Sequence, residues 1–403
     1  MKSDESIFLE AAEIGRQYYI ENIKMLLFKN NPDVFDLIDF EAEKVYQEPM
    51  LFAHFNFPGV SNLTVENMLY GYMSPDIRPK EMKAKSDPYG RIYLTNFGWV
   101  ITSQNDQEFT IKTTSNYDIE LFIGDEKVDF TLEPLSLLEE DGPEVVKYPT
   151  NVLKECYVRV DGALVEFDIT EIAKERTQTL KNAWELMKEL IPAQYELIKK
   201  MAKKMVIFNL IDGTANSFAT RNAQGTAFFH SYQLEYNEVF FIDDVAHQTG
   251  HVIFYAITAE PEHFIKLEPD TLLQSYTTTI NQGTRTVYVL FHALYTYYTT
   301  LKFLDKALET GCFEGKKLHE ARGRMHFYIG KYRRDTTFLK EDIGLDVLFK
   351  EEGRKLFDKI DTDVTDISEH WYPKVSHLDM TDQPYNFTYS KYVELNPLEE
   401  IYQ

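Results

Sequence analysis

Apolar residues recur every three or four positions near the start of the chain, from about residue 5 to residue 47. This spacing places them on one face of a helix, and Asn31-Pro32 interrupts it. From residue 51 to about residue 85 the period is lost and three prolines occur, which predicts loop. We therefore expect an N-terminal helical segment over residues 1–50.

The pattern changes to alternation between Gly90 and Thr170. Apolar and polar residues alternate through residues 91–102, 107–114 and 117–123, which is typical of strands with one buried face. Asp161-Gly162 separates two further alternating runs and predicts a tight hairpin turn. A small antiparallel β module is expected over residues 51–170, and it is a candidate peptide-recognition element.

Helical periodicity returns after Thr170. It covers residues 171–208, then a segment from about Gly283 to Glu309, then residues 316–360. These stretches predict an α+β, mainly helical fold in which residues 171–403 form a C-terminal helical domain with short strands.

Two strand-like stretches, residues 225–234 and 237–243, interrupt this helical domain. They lead into a predicted helix that carries His247 and His251, with Asp243 or Asp244 as its N-cap. The pattern therefore predicts that a strand feeds directly into a histidine-bearing helix.

The charge balance narrows the class of partner. A formal net charge of -23 over 403 residues would repel a phosphate backbone, so we expect no nucleic-acid partner. No apolar run approaches the length of a membrane span, and the N-terminus lacks the pattern of a signal peptide. Cys156 and Cys312 have neither disulfide-framework nor zinc-thiolate spacing. We expect a cytoplasmic protein that binds a basic peptide or a small molecule.

The segment His247-Gln248-Thr249-Gly250-His251 is the most informative motif. Histidines four residues apart on a helix project from one face and can reach a single metal ion, although an ordinary surface or core pair is the alternative. The zinc-protease form of this motif needs a glutamate beside the first histidine as general base. The amide of Gln248 cannot take a proton, which argues against a protease and leaves metal binding unaffected.

Residues 217–304 as a whole carry a wider resemblance. A strand rich in small and polar residues, a histidine-motif helix, and an arginine followed seven residues later by histidine occur in a fixed order, in the segments SFATRNAQGTAFFHSY, DDVAHQTGHVIFYAI, GTR and LFHALYTYYTTL. This region, about a quarter of the chain, resembles the HExxH-type, 2-oxoglutarate-dependent peptide β-hydroxylases of ribosomal-peptide biosynthesis. The resemblance implies a non-haem iron dioxygenase that uses Fe(II), 2-oxoglutarate and dioxygen to hydroxylate the β-carbon of a peptide residue.

The same residues make a chemically workable site. His247 and His251 supply two imidazoles to the metal, and His292 on a separate helix is the expected third ligand. Arg285 lies seven residues before His292, two helical turns or about 10 Å away if both lie on one helix. A guanidinium there could clamp the distal carboxylate of 2-oxoglutarate, and a solvated arginine at a helix start is the alternative.

Other residues and functions stay open. Glu260, Glu262 and His263 are possible replacement ligands on a loop, and His230 could line the pocket. His319 and His326 lie on a basic stretch that predicts solvent exposure. A catalytically silent peptide-binding relative and a zinc-dependent hydrolase with Glu260 or Glu262 as base are the alternative functions.

Overall fold

The computed structural model describes residues 6–114, 116, 118–157, 169–210, 215–231, 236–276 and 285–398. Helices dominate this part of the chain, so the predicted α+β, mainly helical fold class is confirmed. The α-helices in the described ranges are α1 (Ser6–Asn30), α2 (Pro49–Asn56), α3 (Val65–Leu69), α4 (Asn151–Lys154), α5 (Thr170–Leu190), α6 (Pro192–Met201), α7 (Glu238–Ile257), α8 (Val287–Thr310), α9 (Gly315–Phe338), α10 (Leu345–Leu348), α11 (Glu351–Val375) and α12 (Tyr389–Leu395).

The described strands are short. They are β1 (Glu81–Lys85), β2 (Arg91–Leu94), β3 (Gly98–Ile101), β4 (Glu108–Thr113), β5 (Ile119–Ile123), β6 (Glu126–Val128), β7 (Thr131–Glu133), β8 (Ser136–Leu137), β9 (Glu144–Val145), β10 (Lys204–Phe208), β11 (Phe218–Ala219) and β12 (Thr226–His230). Two antiparallel sheets, β1-β4-β5-β6 and β2-β3-β7, correspond to the β module predicted from alternation. The predicted hairpin at Asp161-Gly162 lies outside the described residues.

A third sheet is mixed, with the order β11-β12-β10-β9-β8. Its three central strands β12, β10 and β9 are parallel, and the two edge pairings are antiparallel. Since β8 and β9 precede Thr170 and the other strands follow it, the sheet joins chain segments from both sides of that position.

One buried ionic cluster also ties distant segments together. The Lys204 ammonium on β10 lies 2.9 Å from a Glu144 carboxylate oxygen on β9 and 3.3 Å from one of Glu48, the residue that caps α2. All three side chains are at least 95% buried. Two carboxylates in a dry interior require a cation, so Lys204 holds these three segments in one arrangement.

Three details of the predicted elements are wrong. Residues 51–85 were expected to be loop, but they contain most of α2 and all of α3, because Glu48 and Thr64 cap those two helices. Residues 204–208 were expected to continue a helix, but they form β10, whose β-branched and aromatic residues are buried in the middle of the mixed sheet.

The third detail concerns the start of the motif helix. Residues 237–243 were expected to be a strand, yet α7 begins at Glu238 because the Asn237 side chain accepts hydrogen bonds from the backbone N–H groups of Val239 and Phe240. Asp243 and Asp244 therefore lie inside the helix and cap nothing.

Helix α7 lies at the centre of the largest apolar core, between α1 and α8. Gly15 of α1 lies so close to it that a Cβ at that position would be 1.6 Å from the carbonyl oxygen of Ala256. On the other side, a Cβ at Gly250 would be 2.7 Å from the Thr299 hydroxyl of α8. Glycine thus allows both neighbouring helices to approach the backbone of α7.

Among the described residues, no helix is long and apolar enough to cross a membrane.

Candidate metal centre

One face of α7 carries the polar side chains of the candidate site. Asp244 lies three residues before His247 and four before Gln248, and His251 lies four and three residues after them, so all four project to the same side of the helix. The first and last of them are about 10 Å apart along the helix axis. The helix therefore presents two carboxyl or amide groups and two imidazoles along one strip.

His292 of α8 meets this strip. Its Nε2 lies 2.8 Å from Nδ1 of His251, and the two ring centroids are 4.1 Å apart. The His247 ring lies 5.0 Å from that of His251. The three histidines predicted from the sequence as metal ligands thus lie side by side, contributed by two packed helices.

Burial keeps these imidazoles neutral. It lowers the pKa of His251 to about 3 and lowers the pKa of His247 and of His292 well below the ordinary value. A neutral imidazole has one nitrogen lone pair available for a metal ion. Nδ1 of His247 is buried and has no hydrogen-bond partner in the described structure, so no hydrogen bond has to break for this nitrogen to bind a metal ion.

The three rings do not converge on one point. Within the described ranges, no three His, Cys, Asp or Glu side chains are arranged to hold a metal ion as they stand. Two nitrogens bound about 2.1 Å from one ion at a right angle lie roughly 3 Å apart, close to the 2.8 Å between His251 and His292. The three donors are therefore suitable in type, and the pair of His251 and His292 is also suitable in spacing.

Arg285 does not have the predicted position. Helix α8 begins at Val287 with Thr286 as its N-cap, so Arg285 precedes the helix and the estimate of two helical turns to His292 does not apply. Its guanidinium donates to both carboxylate oxygens of Asp335, at 3.3 and 2.9 Å. Asp335 is fully buried, which makes Arg285 its counterion.

This ion pair is linked to the histidines by two further side chains. The Tyr297 hydroxyl donates to Asp335 at 3.3 Å, and the Tyr297 ring lies 6.0 Å from the His247 ring. Lys331 of α9 is near enough to depress the pKa of His247 and His251, and burial lowers its own pKa to about 7. The side of the site facing α9 therefore contains two cationic groups, Arg285 and Lys331.

A cavity of about 400 Å³ opens along the strip. Its wall includes His247, His251, Gln248, Asp244 and Arg324, whereas His292 lies behind it. This volume is within the range of small-ligand sites. The histidines therefore form part of the wall of a pocket that can admit a ligand.

Asp244 is one of two carboxylates in this wall; the other is Asp243. Asp244 accepts hydrogen bonds from the Ser217 hydroxyl at 2.6 Å and from the Gln248 amide at 3.0 Å. Burial raises its pKa to about 7. The zinc-protease form of the motif has a carboxyl group where this chain has Gln248. Here a carboxyl group lies one helical turn earlier, at Asp244, and it accepts a hydrogen bond from the Gln248 amide.

The remaining histidine candidates lie in different surroundings. His230 lies in the cavity wall and stacks on Phe208 with the ring planes 9° apart. His319, expected to be exposed, is buried beside Tyr389 because α12 packs over it. Among the suggested replacement ligands, Glu262 and His263 are exposed, and the cavity wall includes neither of them nor Glu260.

Sequence reasoning missed the contribution of α9. Arg324, Tyr328, Lys331 and Asp335 recur at intervals of three or four on one buried face of this helix. Charged residues are rarely buried unless they are paired. Their helical spacing was the available signal, but the surrounding basic residues made the stretch resemble a solvated surface.

No protein-family model matches this sequence, and no curated protein matches it.

Proposed function

We propose that this protein is a non-haem Fe(II), 2-oxoglutarate-dependent oxygenase that hydroxylates the β-carbon of a residue in a ribosomally made peptide in the cytoplasm. The observation that carries the proposal is the group of three neutral imidazoles, His247, His251 and His292, in and behind the wall of a ligand-sized cavity. The order of motifs over residues 217–304 carries the resemblance to the peptide β-hydroxylases, from which the cosubstrate and the reaction are proposed.

The donor chemistry supports iron as the metal. Imidazole is a common ligand for iron, and three protein ligands leave positions for other groups. Bound there, the metal would supply oxygen activation. The protein's own part is to hold the imidazoles unprotonated, which their depressed pKa values favour, and to exclude water by burial.

The charges around the site support an anionic cosubstrate on the side facing α9. Arg285 and Lys331 both lie near Asp335, and together they exceed its single negative charge when Lys331 is protonated. A dicarboxylate such as 2-oxoglutarate needs such a cationic surrounding at its distal end. Arg285 stays our candidate for this contact.

A second candidate function is a catalytically silent, peptide-binding relative. Two observations favour it: the nitrogens of His251 and His292 face each other within hydrogen-bonding distance, and Arg285 already has Asp335 as a partner. Metal content separates the two functions, since only the oxygenase needs iron.

The test is metal analysis of protein purified without oxygen, followed by succinate detection with and without 2-oxoglutarate. We expect one iron per chain, and His247→Ala or His251→Ala should remove it because two remaining ligands hold a labile divalent ion poorly. His263→Ala, which removes an exposed histidine outside the cavity, is the matched control and should keep its iron. Full iron retention in both site variants would contradict the metal-site proposal.

A further inference from the structure

The cavity wall has more hydrogen-bond acceptors than donors around Asp244. Oε1 of Gln248 is buried without a hydrogen-bond partner in the described structure, and Gln248 is 96% buried. The Asp244 carboxylate, which accepts one hydrogen bond on each oxygen from Ser217 and Gln248, has lone pairs to spare. A buried acceptor without a donor is costly, so the occupant of this wall should bring hydrogen-bond donors.

The charge on this side of the cavity is negative. Arg324 is paired with two carboxylates, Asp243 at 2.5 Å and Glu320 at 2.8 Å. In the described chain no lysine or arginine is within ion-pair distance of Asp244. Asp243 and Glu320 therefore neutralise the Arg324 guanidinium, and among the described residues Asp244 has no cation at ion-pair distance; because burial raises its pKa to about 7, Asp244 is partly ionised at neutral pH.

Lys331 is the other cation near this cavity. Its ammonium donates to the backbone oxygen of Tyr385, which lies in the cavity wall, at 3.0 Å. Burial lowers its pKa to about 7, so at neutral pH it is only partly charged. It offsets part of the negative charge but donates to neither Asp244 nor Gln248, so Oε1 of Gln248 stays without a donor in the described structure.

We infer that the cavity binds a cationic side chain of its peptide ligand, arginine or lysine, through the Asp244 carboxylate and the Gln248 side-chain oxygen. An ammonium or guanidinium group supplies both the positive charge and several N–H donors. The inference rests on the proposed function in one respect, that the ligand is a peptide.

The position of Asp244 on α7 fits a long cationic side chain. His247 is about 4.5 Å and His251 about 10 Å further along the helix axis. For a side chain whose charged end lies at Asp244 and whose aliphatic stem follows the strip, the carbon atoms next to its own backbone, including the β-carbon, come nearest to the candidate metal ligands.

The experiment is a binding titration on the metal-free protein without 2-oxoglutarate. The probes are two acetylated and amidated tripeptides, Ala-Arg-Ala and Ala-citrulline-Ala, which differ only in the charge and one donor group of the central side chain. We expect the arginine peptide to bind at least about tenfold more tightly, since close charge pairs of low exposure are worth at least this much. Asp244→Asn should abolish the preference, and Asp366→Asn, at an exposed position of α11, should leave it unchanged.

Equal affinity for the two peptides, no binding of the arginine peptide at millimolar concentration, or a preference that survives Asp244→Asn would each overturn the inference. The wild-type comparison decides the matter by itself if Asp244→Asn does not fold. Because no metal is present, the result is independent of the iron and succinate assays. A clear arginine preference without iron binding would favour the silent relative, whereas iron binding without that preference would reject this inference alone.

Discussion

The Arg285 guanidinium donates to the Asp335 carboxylate, and its proposed partner is the distal carboxylate of 2-oxoglutarate. If the guanidinium contacts the cosubstrate, Arg285→Ala should weaken 2-oxoglutarate binding by about 2–5 kcal/mol while iron stays bound. Arg285→Lys should recover only part of this loss, because an ammonium cannot form the planar two-point contact. Titration of 2-oxoglutarate into the anaerobic iron form of each variant measures the effect.

The control for this prediction is Asp335→Asn. It removes the counterion of Arg285 but keeps the guanidinium, so a cosubstrate clamp should hold 2-oxoglutarate at least as tightly as before. An arginine whose only role is to neutralise Asp335 would lower stability when replaced and leave cosubstrate affinity unchanged. That outcome in Arg285→Ala would remove Arg285 from the site.

Gln248 permits a second prediction at the residue scale. Gln248→Glu restores the residue that a zinc protease needs, but we expect no peptidase activity, because a base alone does not build the donors that stabilise a tetrahedral intermediate. The new carboxylate would also face Asp244, which now accepts a hydrogen bond from Gln248. Hydrolysis of a fluorogenic peptide by the zinc-loaded variant is the measurement, and cleavage that a chelator stops would contradict us.

The histidines and the arginine differ in how far sequence could predict them. Spacing along one helix places His247 and His251 on a common face before any fold is known, and the motif order singled out His292, which does lie beside them. The surroundings of Arg285 could not be predicted, because its partner Asp335 lies 50 residues away on α9. Contacts between elements depend on packing, which local patterns do not encode.

At the scale of elements, the close approach of α1 to α7 gives a stability prediction. Gly15→Ala forces a Cβ into the Ala256 carbonyl, and overpacking against a backbone atom costs about 1–3 kcal/mol or more. Gly330→Ala on α9 is the control, because a Cβ there meets nothing within 4 Å. Since alanine is about 1 kcal/mol better than glycine in a helix interior, the control should be stabilised.

Chemical denaturation of the two variants provides the comparison. Both gain the same helix propensity, so the difference between their free energies of unfolding isolates the contact between α1 and α7. Equal stability in the two variants would show that α1 does not pack on α7 as closely as described.

Two of the wrongly predicted elements share one cause. The buried strand β10 and the first turns of α7 are both continuous apolar runs, and such runs have no period that distinguishes strand from helix. For α7 the deciding factor was the N-cap: Asn237 is extended, and its side chain caps the helix that begins at Glu238. For β10 the deciding factor was tertiary, because its neighbours β9 and β12 come from distant parts of the chain.

At the scale of the whole molecule, the Lys204 cluster predicts a large and pH-dependent loss of stability. Lys204→Met leaves Glu48 and Glu144 buried without their cation, which costs about 3–5 kcal/mol. Lys355→Met is the control, since its ammonium pairs with Glu351 and Glu352 on an exposed surface, where an ion pair contributes little to stability.

The sign of the pH effect follows from Glu48. Burial raises its pKa above the ordinary value, and loss of Lys204 raises that pKa further. The folded variant then binds this proton more tightly than the unfolded chain, so its stability falls as pH rises above the ordinary range of a glutamate. We expect the defect of Lys204→Met, measured by urea unfolding, to be smaller at pH 5 than at pH 8. A defect independent of pH would mean that the carboxylates find other partners.

The contact between α1 and α7 has a consequence for synthesis on the ribosome. The Tyr19 hydroxyl of α1 donates to the backbone oxygen of Tyr255, 236 residues later in the chain. At about 5–20 residues per second, the apolar face of α1 waits roughly 10 to 50 s before the helix that covers it has been translated. During that interval the nascent chain presents an uncovered apolar surface, so its yield in a host cell should depend on chaperones that bind the N-terminal segment.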